Sequence, residues 1–182
     1  MGAIVITGVP GVGKSTVLEL AAAETKRPVV VYGTEMLAVA QARGLVKDRD
    51  EMRRLPPDLQ RQIQEAAADA IRAKGDVIVD THCTIKTPHG YLPGLPAWVV
   101  ERLRPSQIIL VEAAPEEIAG RRAKDATRKR DADDTLAIAE HQAVNRLAAM
   151  AVATLTGATL VFLQNRDGRQ DETKRALLSA LG

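Results

Sequence analysis

Short apolar runs rich in β-branched residues alternate with longer segments of helical character along the chain. Such runs are typical of parallel strands whose two faces are both covered. The predicted strands are Ala3–Thr7, Val29–Tyr32, Val77–Asp80, Ile108–Glu112 and Thr159–Leu163. Because the intervening segments are long enough for crossover helices, the pattern predicts a three-layer α/β sandwich with a five-stranded parallel sheet and helices on both faces.

Three connections are longer than a minimal crossover. Residues 33–76 predict two or more helices, with a turn over Leu45–Asp50 and a helix start at Pro56-Pro57. Residues 81–95 contain four turn formers and predict a long irregular loop, which in a compact domain is usually functional. Residues 121–134 carry a dense charge cluster. Ligands of parallel sheets bind beyond the carboxyl ends of the strands, so the first two connections lie near a ligand-binding edge. The charged segment could fold over the loop that follows the first strand.

Composition fits a single soluble domain over 1–182. Of the 182 residues, 46% are hydrophobic, 26% are charged and only 2% are aromatic, with a net charge of +2. The near-neutral charge and the few aromatic residues argue against a nucleic-acid-binding module. Without an apolar run of roughly 20 residues or a signal-peptide pattern, no membrane association is expected. One cysteine, Cys83, excludes an internal disulfide and predicts a cytoplasmic location.

The first strand is followed by a complete phosphate-binding loop of the G-x-x-x-x-G-K-[ST] type, over residues 8–15. Its glycines let successive backbone N–H groups turn toward one anion, and the following helix N-terminus favours negative charge. Lys14 adds a positive charge and has a predicted catalytic role. The candidate residues for a donor nucleotide are Gly8, Val9, Pro10, Gly11, Val12, Gly13, Lys14, Ser15 and Thr16.

Two oxygen-bearing side chains suggest a magnesium site. The Ser15 hydroxyl follows the loop lysine, and Asp80 ends the apolar strand Val77–Asp80. An acid at this strand end typically holds Mg²⁺, directly or through water. The alternative for Asp80 is a helix cap or a turn former.

The charge cluster could supply mobile cations to a transferring phosphoryl group. Guanidinium groups match phosphate oxygens and stay charged, so Arg122, Arg128 and Arg130 are predicted to be catalytic. Arg121 and Lys129 are expected to be solvated. The alternative is that the whole cluster is an ordinary solvated helix face. Arg146, on a later alanine-rich helix, either lines the cleft or pairs with an acid.

The acceptor site is less defined by the sequence. Gly33-Thr34 predicts a turn whose hydroxyl contacts the acceptor, or a helix cap for the residues from Glu35 onward. His82 and Lys86 are candidates for contact with an acceptor anion. The histidines lack metal-ligand spacing, and no Ser-His-Asp pattern is present. Further cations on the insert, mostly expected to be surface charges, are Arg43, Arg49, Arg53 and Arg54.

These segments together resemble the archaeal-type adenylate kinases. The matching segments are residues 6–16, 32–36, 44–56, 79–82, 86–96, 155–158 and 165–168. The first is shared by many kinases, whereas Lys-Thr-Pro-His-Gly-Tyr-Leu-Pro-Gly-Leu-Pro over 86–96 is far more specific to this group. The resemblance extends along nearly the whole chain.

The resemblance implies the reaction ATP + AMP ⇌ 2 ADP with Mg²⁺, a monophosphate-binding insert over 33–76, a lid over 121–134 and a homotrimer. It places donor adenine near Gln164–Gly168. With AMP as the acceptor, the candidate AMP-binding residues are Gly33, Thr34, Arg53, His82 and Lys86. The alternatives are a kinase for another nucleoside monophosphate, or a P-loop ATPase or switch that acts on a partner. Ala38 stands where bacterial-type relatives carry an arginine, which leaves the cations of the acceptor phosphate open.

Overall fold

Five parallel strands form the central sheet of the molecule, in the order β2-β3-β1-β6-β7. A computed structural model describes residues 2–124 and 134–182. The sheet strands are β1 (Ile4–Thr7), β2 (Val29–Val31), β3 (Ile78–Asp80), β6 (Gln107–Glu112) and β7 (Thr159–Gln164). The predicted sheet is confirmed, with each strand within about a residue of its predicted bounds.

Two apolar clusters cover the two faces of this sheet. One contains Val79 and Leu110 together with helix residues such as Ile71 and Val99, and the other contains Ile6 and Ile109 with Leu177. The helices are α1 (Lys14–Ala22), α2 (Tyr32–Ala42), α3 (Arg49–Arg53), α4 (Pro57–Ala73), α5 (Ala97–Leu103), α6 (Pro115–Lys124), α7 (Thr135–Thr156) and α8 (Gln170–Leu181). The architecture is the predicted α/β sandwich with helices on both faces.

The insert predicted over 33–76 comprises α2, α3 and α4. Part of it has its own small core, in which Ala40, Met52 and Ile63 are buried together. Helix α4 leaves this small core along its length, because Ala67 and Ile71 pack in the main core. Helix α2 joins both cores as well, since Tyr32 is buried in the main one and Met36 and Val39 pack against both.

Residues 81–95 are not the predicted irregular loop. They contain an antiparallel hairpin of β4 (Thr84–Thr87) and β5 (Gly90–Pro93), joined by Pro88 and His89. Gly90 takes a φ of 122°, which favours glycine. Gly94 follows the hairpin so closely packed that a Cβ atom there would lie 2.0 Å from the carbonyl oxygen of His82. The hairpin is thereby held against the end of β3.

Candidate active site

The phosphate loop turns from β1 into α1 with a backbone that requires glycine. Gly11 and Gly13 have φ values of 87° and 92°, in the left-handed region that other residues rarely adopt. At Gly8, an added Cβ atom would lie 2.6 Å from the carbonyl oxygen of Val111. Helix α1 begins at Lys14, so the loop ends at a helix N-terminus, where backbone N–H groups and the helix dipole favour an anion.

Side chains from outside the loop bind its carbonyl groups. Arg122 donates from Nε and Nη2 to the carbonyl oxygen of Pro10, at 2.9 and 2.7 Å. Arg121 Nη1 and Asn165 Nδ2 donate to that of Val12, at 2.9 and 2.8 Å. Because C=O and N–H point in opposite directions across a trans peptide bond, the amides that follow Pro10 and Val12 face away from these donors. They are available to an anion.

Lys14, Asp80 and His82 meet beside the loop. Lys14 is only 8% exposed, and its Nζ lies 3.5 Å from Asp80 Oδ1 and 3.4 Å from His82 Nδ1. His82 Nδ1 also lies 3.0 Å from the carbonyl oxygen of Gly8. Burial, followed by the charge of Lys14, lowers the pKa of His82 to about 4. The imidazole is therefore neutral at pH 7.

A cavity of about 220 Å³ adjoins this group. It is called the second cavity, because the phosphate loop forms the first of two candidate binding sites. Asp80 and His82 form part of its wall, so the cavity shares two residues with the surroundings of Lys14. It lies between the end of β3, the hairpin and the insert. Its lining residues are Val31, Tyr32, Gly33, Met36, Arg49, Gln64, Asp80, Thr81, His82, Ile85, Pro93 and Gly94.

Comparison with known proteins identifies the family. The chain is 52% identical to the adenylate kinase of Methanopyrus kandleri, over 98% of this chain and 96% of that protein. It is 49% identical to that of Methanothermobacter thermautotrophicus over the full length of both, and 48% identical to that of Methanocaldococcus jannaschii over 98% of this chain and 97% of that protein. The chain belongs to the adenylate kinase family.

Other comparisons agree at a coarser level. A family model described as an AAA domain matches residues 7–139. The fold is similar to that of shikimate kinase from Acinetobacter baumannii, with a TM-score of 0.62 at 14% identity over 100% of this chain and 93% of that one. For a gluconokinase from Sinorhizobium meliloti the TM-score is 0.56 at 15% identity, over 99% and 91%. These two likenesses show the fold alone.

The structure brings some of the predicted acceptor residues of this adenylate kinase family member together. Gly33 and His82 line the second cavity, and Thr34 is joined to it because Arg49 Nη2 donates to Thr34 Oγ1 at 2.8 Å. The predicted turn or cap at Gly33-Thr34 is wrong, since α2 already begins at Tyr32 and both residues lie in its first turn. Thr34 Oγ1 therefore accepts a hydrogen bond from the Arg49 side chain and does not cap α2.

Arg53 and Lys86 lie apart from the lining of that cavity. Arg53 is 74% exposed and pairs with Asp50 at 3.0 Å. Lys86 is an exposed residue of β4, whose neighbour Ile85 lines the cavity. The guanidinium that reaches the cavity belongs to Arg49, the first residue of α3. The sequence does contain a signal for the start of α3. Asp48 is a typical N-cap residue, and its side chain accepts from the N–H groups of residues 50 and 51. This cap makes Arg49 the first residue of the helix.

The start of the predicted lid contacts the phosphate loop. Arg121 is not solvated as expected: its side chain is 22% exposed, binds Val12 and Asn165 carbonyls and pairs with Asp167 at 2.6 Å. Arg122 lies where predicted, against the loop. Arg128 and Arg130 fall outside the described residues. Ser15 and Thr16 are exposed in the first turn of α1.

Arg146 pairs with an acid, one of its two predicted alternatives. Its Nε and Nη2 atoms donate to the two oxygens of Glu112 at 2.5 and 2.8 Å. This hydrogen bonding and the charge of Glu112 raise the pKa of Arg146. Both residues line a cavity of about 280 Å³ beyond β6 and β7, with Ala113, Ala114, Glu117, Gln142, Gln164 and Arg166.

The described residues contain neither a cluster of metal-ligating side chains nor a helix that could cross a membrane. Within 2–124 and 134–182, histidine, cysteine and acidic side chains form no group of three that could hold a metal ion by themselves. In the same residues, no helix combines the length and the apolar character needed to cross a bilayer. Cys83 is buried, and burial raises the pKa of its thiol to about 11, so the thiol is protonated at neutral pH.

Proposed function

We propose that the chain catalyses the Mg²⁺-dependent reversible transfer of a phosphoryl group, ATP + AMP ⇌ 2 ADP. The observation that carries the proposal is the junction of the two sites. Lys14, which belongs to the donor loop, lies 3.5 Å from Asp80, which lines the second cavity. A donor phosphate bound by Lys14 is therefore next to an acceptor in that cavity.

In the proposed step, an oxygen of the AMP phosphate attacks the γ-phosphorus of ATP. The bond from that phosphorus to the bridging oxygen breaks, and the electron pair leaves with ADP. An anionic phosphate nucleophile needs no strong general base, so positioning and charge neutralisation provide most of the catalysis. The loop amides and Lys14 bind the donor phosphates, while Arg128 and Arg130 neutralise the transferring group. Arg122 would join them once its guanidinium leaves the carbonyl oxygen of Pro10.

Ser15 and Asp80 would hold the magnesium ion. Their hydroxyl and carboxylate oxygens are the hard ligands that Mg²⁺ prefers, and its remaining positions are normally filled by phosphate oxygens and water. This explains why the protein needs no cluster of three acids. Bound there, Mg²⁺ would neutralise charge on the β- and γ-phosphates of ATP.

Arg49 is the leading candidate to bind the acceptor phosphate. It is the insert arginine that lines the second cavity, and its hydrogen bond to Thr34 fixes its position. Gly33 permits this placement, since a Cβ atom there would lie 3.1 Å from Arg49 Nη1. Arg53 and Lys86 remain proposed AMP residues, for which insert or hairpin movement would be required.

The test is a panel of nucleoside monophosphates mixed with ATP and Mg²⁺, with ADP formation followed. We expect ADP to form with AMP and to need Mg²⁺. Preference for CMP or UMP would instead indicate a kinase for another monophosphate. Equal ATP loss with no acceptor present would indicate a P-loop ATPase or switch.

We further propose that the chain acts in the cytoplasm as a homotrimer, which the family resemblance implies. Supporting residues lie on the outer side of α7 and on the edge strand β7, where large apolar side chains are exposed: Leu136, Leu147, Met150, Leu155 and Phe162. Exposed apolar patches of this kind often mark interfaces between subunits. Light scattering should give a trimer mass for the natural chain and a monomer mass for Leu147→Glu; a monomeric natural chain would refute the assembly.

A further inference from the structure

Gln64 occupies a distinctive place in the wall of the second cavity. The lining of this cavity includes the charged and polar residues Arg49, Asp80 and His82, and aliphatic side chains supply much of the rest. The aliphatic residues are Val31, Met36, Ile85 and Pro93. Gln64 is a polar residue of this wall that carries no charge, and it comes from the middle of α4.

The orientation of the Gln64 amide is fixed by Trp98. The indole Nε1–H donates to Gln64 Oε1 at 2.9 Å. Because an indole N–H can only donate, the amide must present its oxygen to Trp98, and a rotated amide would oppose two donors. The Arg61 guanidinium lies over the Trp98 ring, 4.8 Å from its centroid, which holds the indole in place.

The backbone at Gln64 is fixed as well. Tyr32 donates its hydroxyl hydrogen to the Gln64 carbonyl oxygen at 2.7 Å, and Tyr32 itself lines the cavity. With Oε1 engaged, the Gln64 group still able to form hydrogen bonds is its Nε2 amide, which has two donor hydrogens. Within residues 2–124 and 134–182 this nitrogen has no hydrogen-bond partner.

We propose that Gln64 Nε2 donates a hydrogen bond to an acceptor atom of the base of the acceptor nucleotide, and that Trp98 fixes this donor polarity. The inference rests on the proposed function and identifies a specificity residue for it. The aliphatic lining suits a base and Arg49 suits a phosphate, so the cavity offers contacts to both parts of one nucleotide. A base offers Gln64 an unprotonated ring nitrogen or a carbonyl oxygen; for adenine the acceptors are N1, N3 and N7.

The experiment combines protein variants with single-atom changes in the nucleotide. We would measure kcat/KM for AMP and for its 1-deaza, 3-deaza and 7-deaza analogues, in which one ring nitrogen is replaced by C–H. The enzymes are the natural chain, Gln64→Met, Trp98→Phe and the control Gln62→Met, an exposed position on the same helix. A coupling between one ring atom and Gln64 isolates the contact from general damage.

With the natural chain, we expect one deaza analogue to lose roughly tenfold in kcat/KM relative to AMP, as one lost hydrogen bond predicts. Gln64→Met should lose about the same factor with AMP but almost nothing more with that analogue. Trp98→Phe should reduce the discrimination in part, and Gln62→Met should match the natural chain.

A uniform loss for Gln64→Met across all four nucleotides would overturn the proposal and leave Gln64 with a structural role. Unchanged discrimination in Trp98→Phe would overturn the part assigned to Trp98. If the natural chain failed to use AMP at all, the proposed function itself would fail, which is a different result from either of these. Circular dichroism of each variant separates misfolding from altered recognition.

Discussion

The phosphate loop, proposed to be the donor loop, and the second cavity, proposed to be the acceptor cavity, are held in shape by different chemical groups. In the loop, side chains bind backbone carbonyls, as when Arg122 and Arg121 bind those of Pro10 and Val12. Around the cavity, Tyr32 binds one backbone carbonyl, but Arg49 and Gln64 bind the side chains of Thr34 and Trp98. A backbone held from outside has little room to adjust, whereas side-chain pairs can shift by small rotations. The donor side should therefore be the more sensitive to substitution.

The largest loss is expected for Lys14→Ala. Its ammonium group lies at the junction of loop and cavity, 8% exposed and 3.5 Å from Asp80. Removing a charge that binds the transferring group should lower kcat by on the order of 10³-fold or more. ADP formation at saturating ATP and AMP measures this. A variant that kept a tenth of the natural kcat, with the fold intact by circular dichroism, would contradict the donor assignment.

A smaller but still severe effect is expected for Gly8→Ala. The new Cβ atom would lie 2.6 Å from the carbonyl oxygen of Val111 and 2.9 Å from Val12 Cγ1, and the first of these is backbone. Either the loop or β6 must move, at a cost of about 1–3 kcal/mol. We expect a lower midpoint of thermal unfolding and weaker ATP binding by calorimetry. If the unfolding midpoint and the ATP affinity both matched those of the natural chain, the loop backbone would be able to adjust, and the donor side would not be the more sensitive one.

The same contrast explains what could be predicted from the sequence. The donor loop is contiguous, and each strand is a local apolar run, so both could be recognised from neighbouring residues. The acceptor cavity is built from β2, β3, α2, α3, α4 and the hairpin, which meet only through the topology. The hairpin was not predicted because its two strands are only four residues long, and Pro88 and Pro93 made the segment look like a loop.

Individual side chains were harder still to predict. Arg49 and Arg53 lie on one short helix and look alike in the sequence, yet Arg49 reaches Thr34 while Arg53 pairs with Asp50. Arg121 and Arg122 both bind loop carbonyls, although Arg121 was expected to be solvated and Arg122 to contact the transferring phosphoryl group. The side-chain direction depends on the register of the helix and on partners far away in the chain. No local pattern supplies that information.

On the acceptor side, Arg49→Ala should weaken AMP binding without a comparable effect on ATP. A hydrogen-bonded charge contributes about 1.5–3 kcal/mol, so KM for AMP should rise roughly tenfold to a hundredfold. Arg53→Ala is the matched control, because it removes the same group from the same helix at an exposed position. Steady-state kinetics with each substrate varied in turn measures both. A larger effect for Arg53→Ala would return the phosphate contact to the residue first predicted.

The smallest effect is expected for Gly33→Ala. This variant tests whether the Arg49 side chain can adjust its position. The new methyl group would lie 3.1 Å from Arg49 Nη1, the end of a flexible side chain that can turn aside. We expect KM for AMP to rise only a few-fold, by roughly the cost of an altered rotamer. The same change should stabilise α2 by about 0.5–1 kcal/mol, because glycine is unfavourable inside a helix.

Gly120→Ala separates these two consequences of Gly33→Ala. Gly120 lies within α6, and nothing stands within 4 Å of its added Cβ atom. In denaturant titrations, Gly120→Ala should therefore raise the free energy of unfolding by about as much as Gly33→Ala does, while its KM for AMP stays unchanged. If Gly33→Ala instead abolished AMP binding, the position of Arg49 would be as rigid as the donor loop, and the difference between the two sides would disappear. A gain in stability together with a few-fold rise in KM for AMP would instead show that Arg49 moves aside while the helix beneath it stays in place.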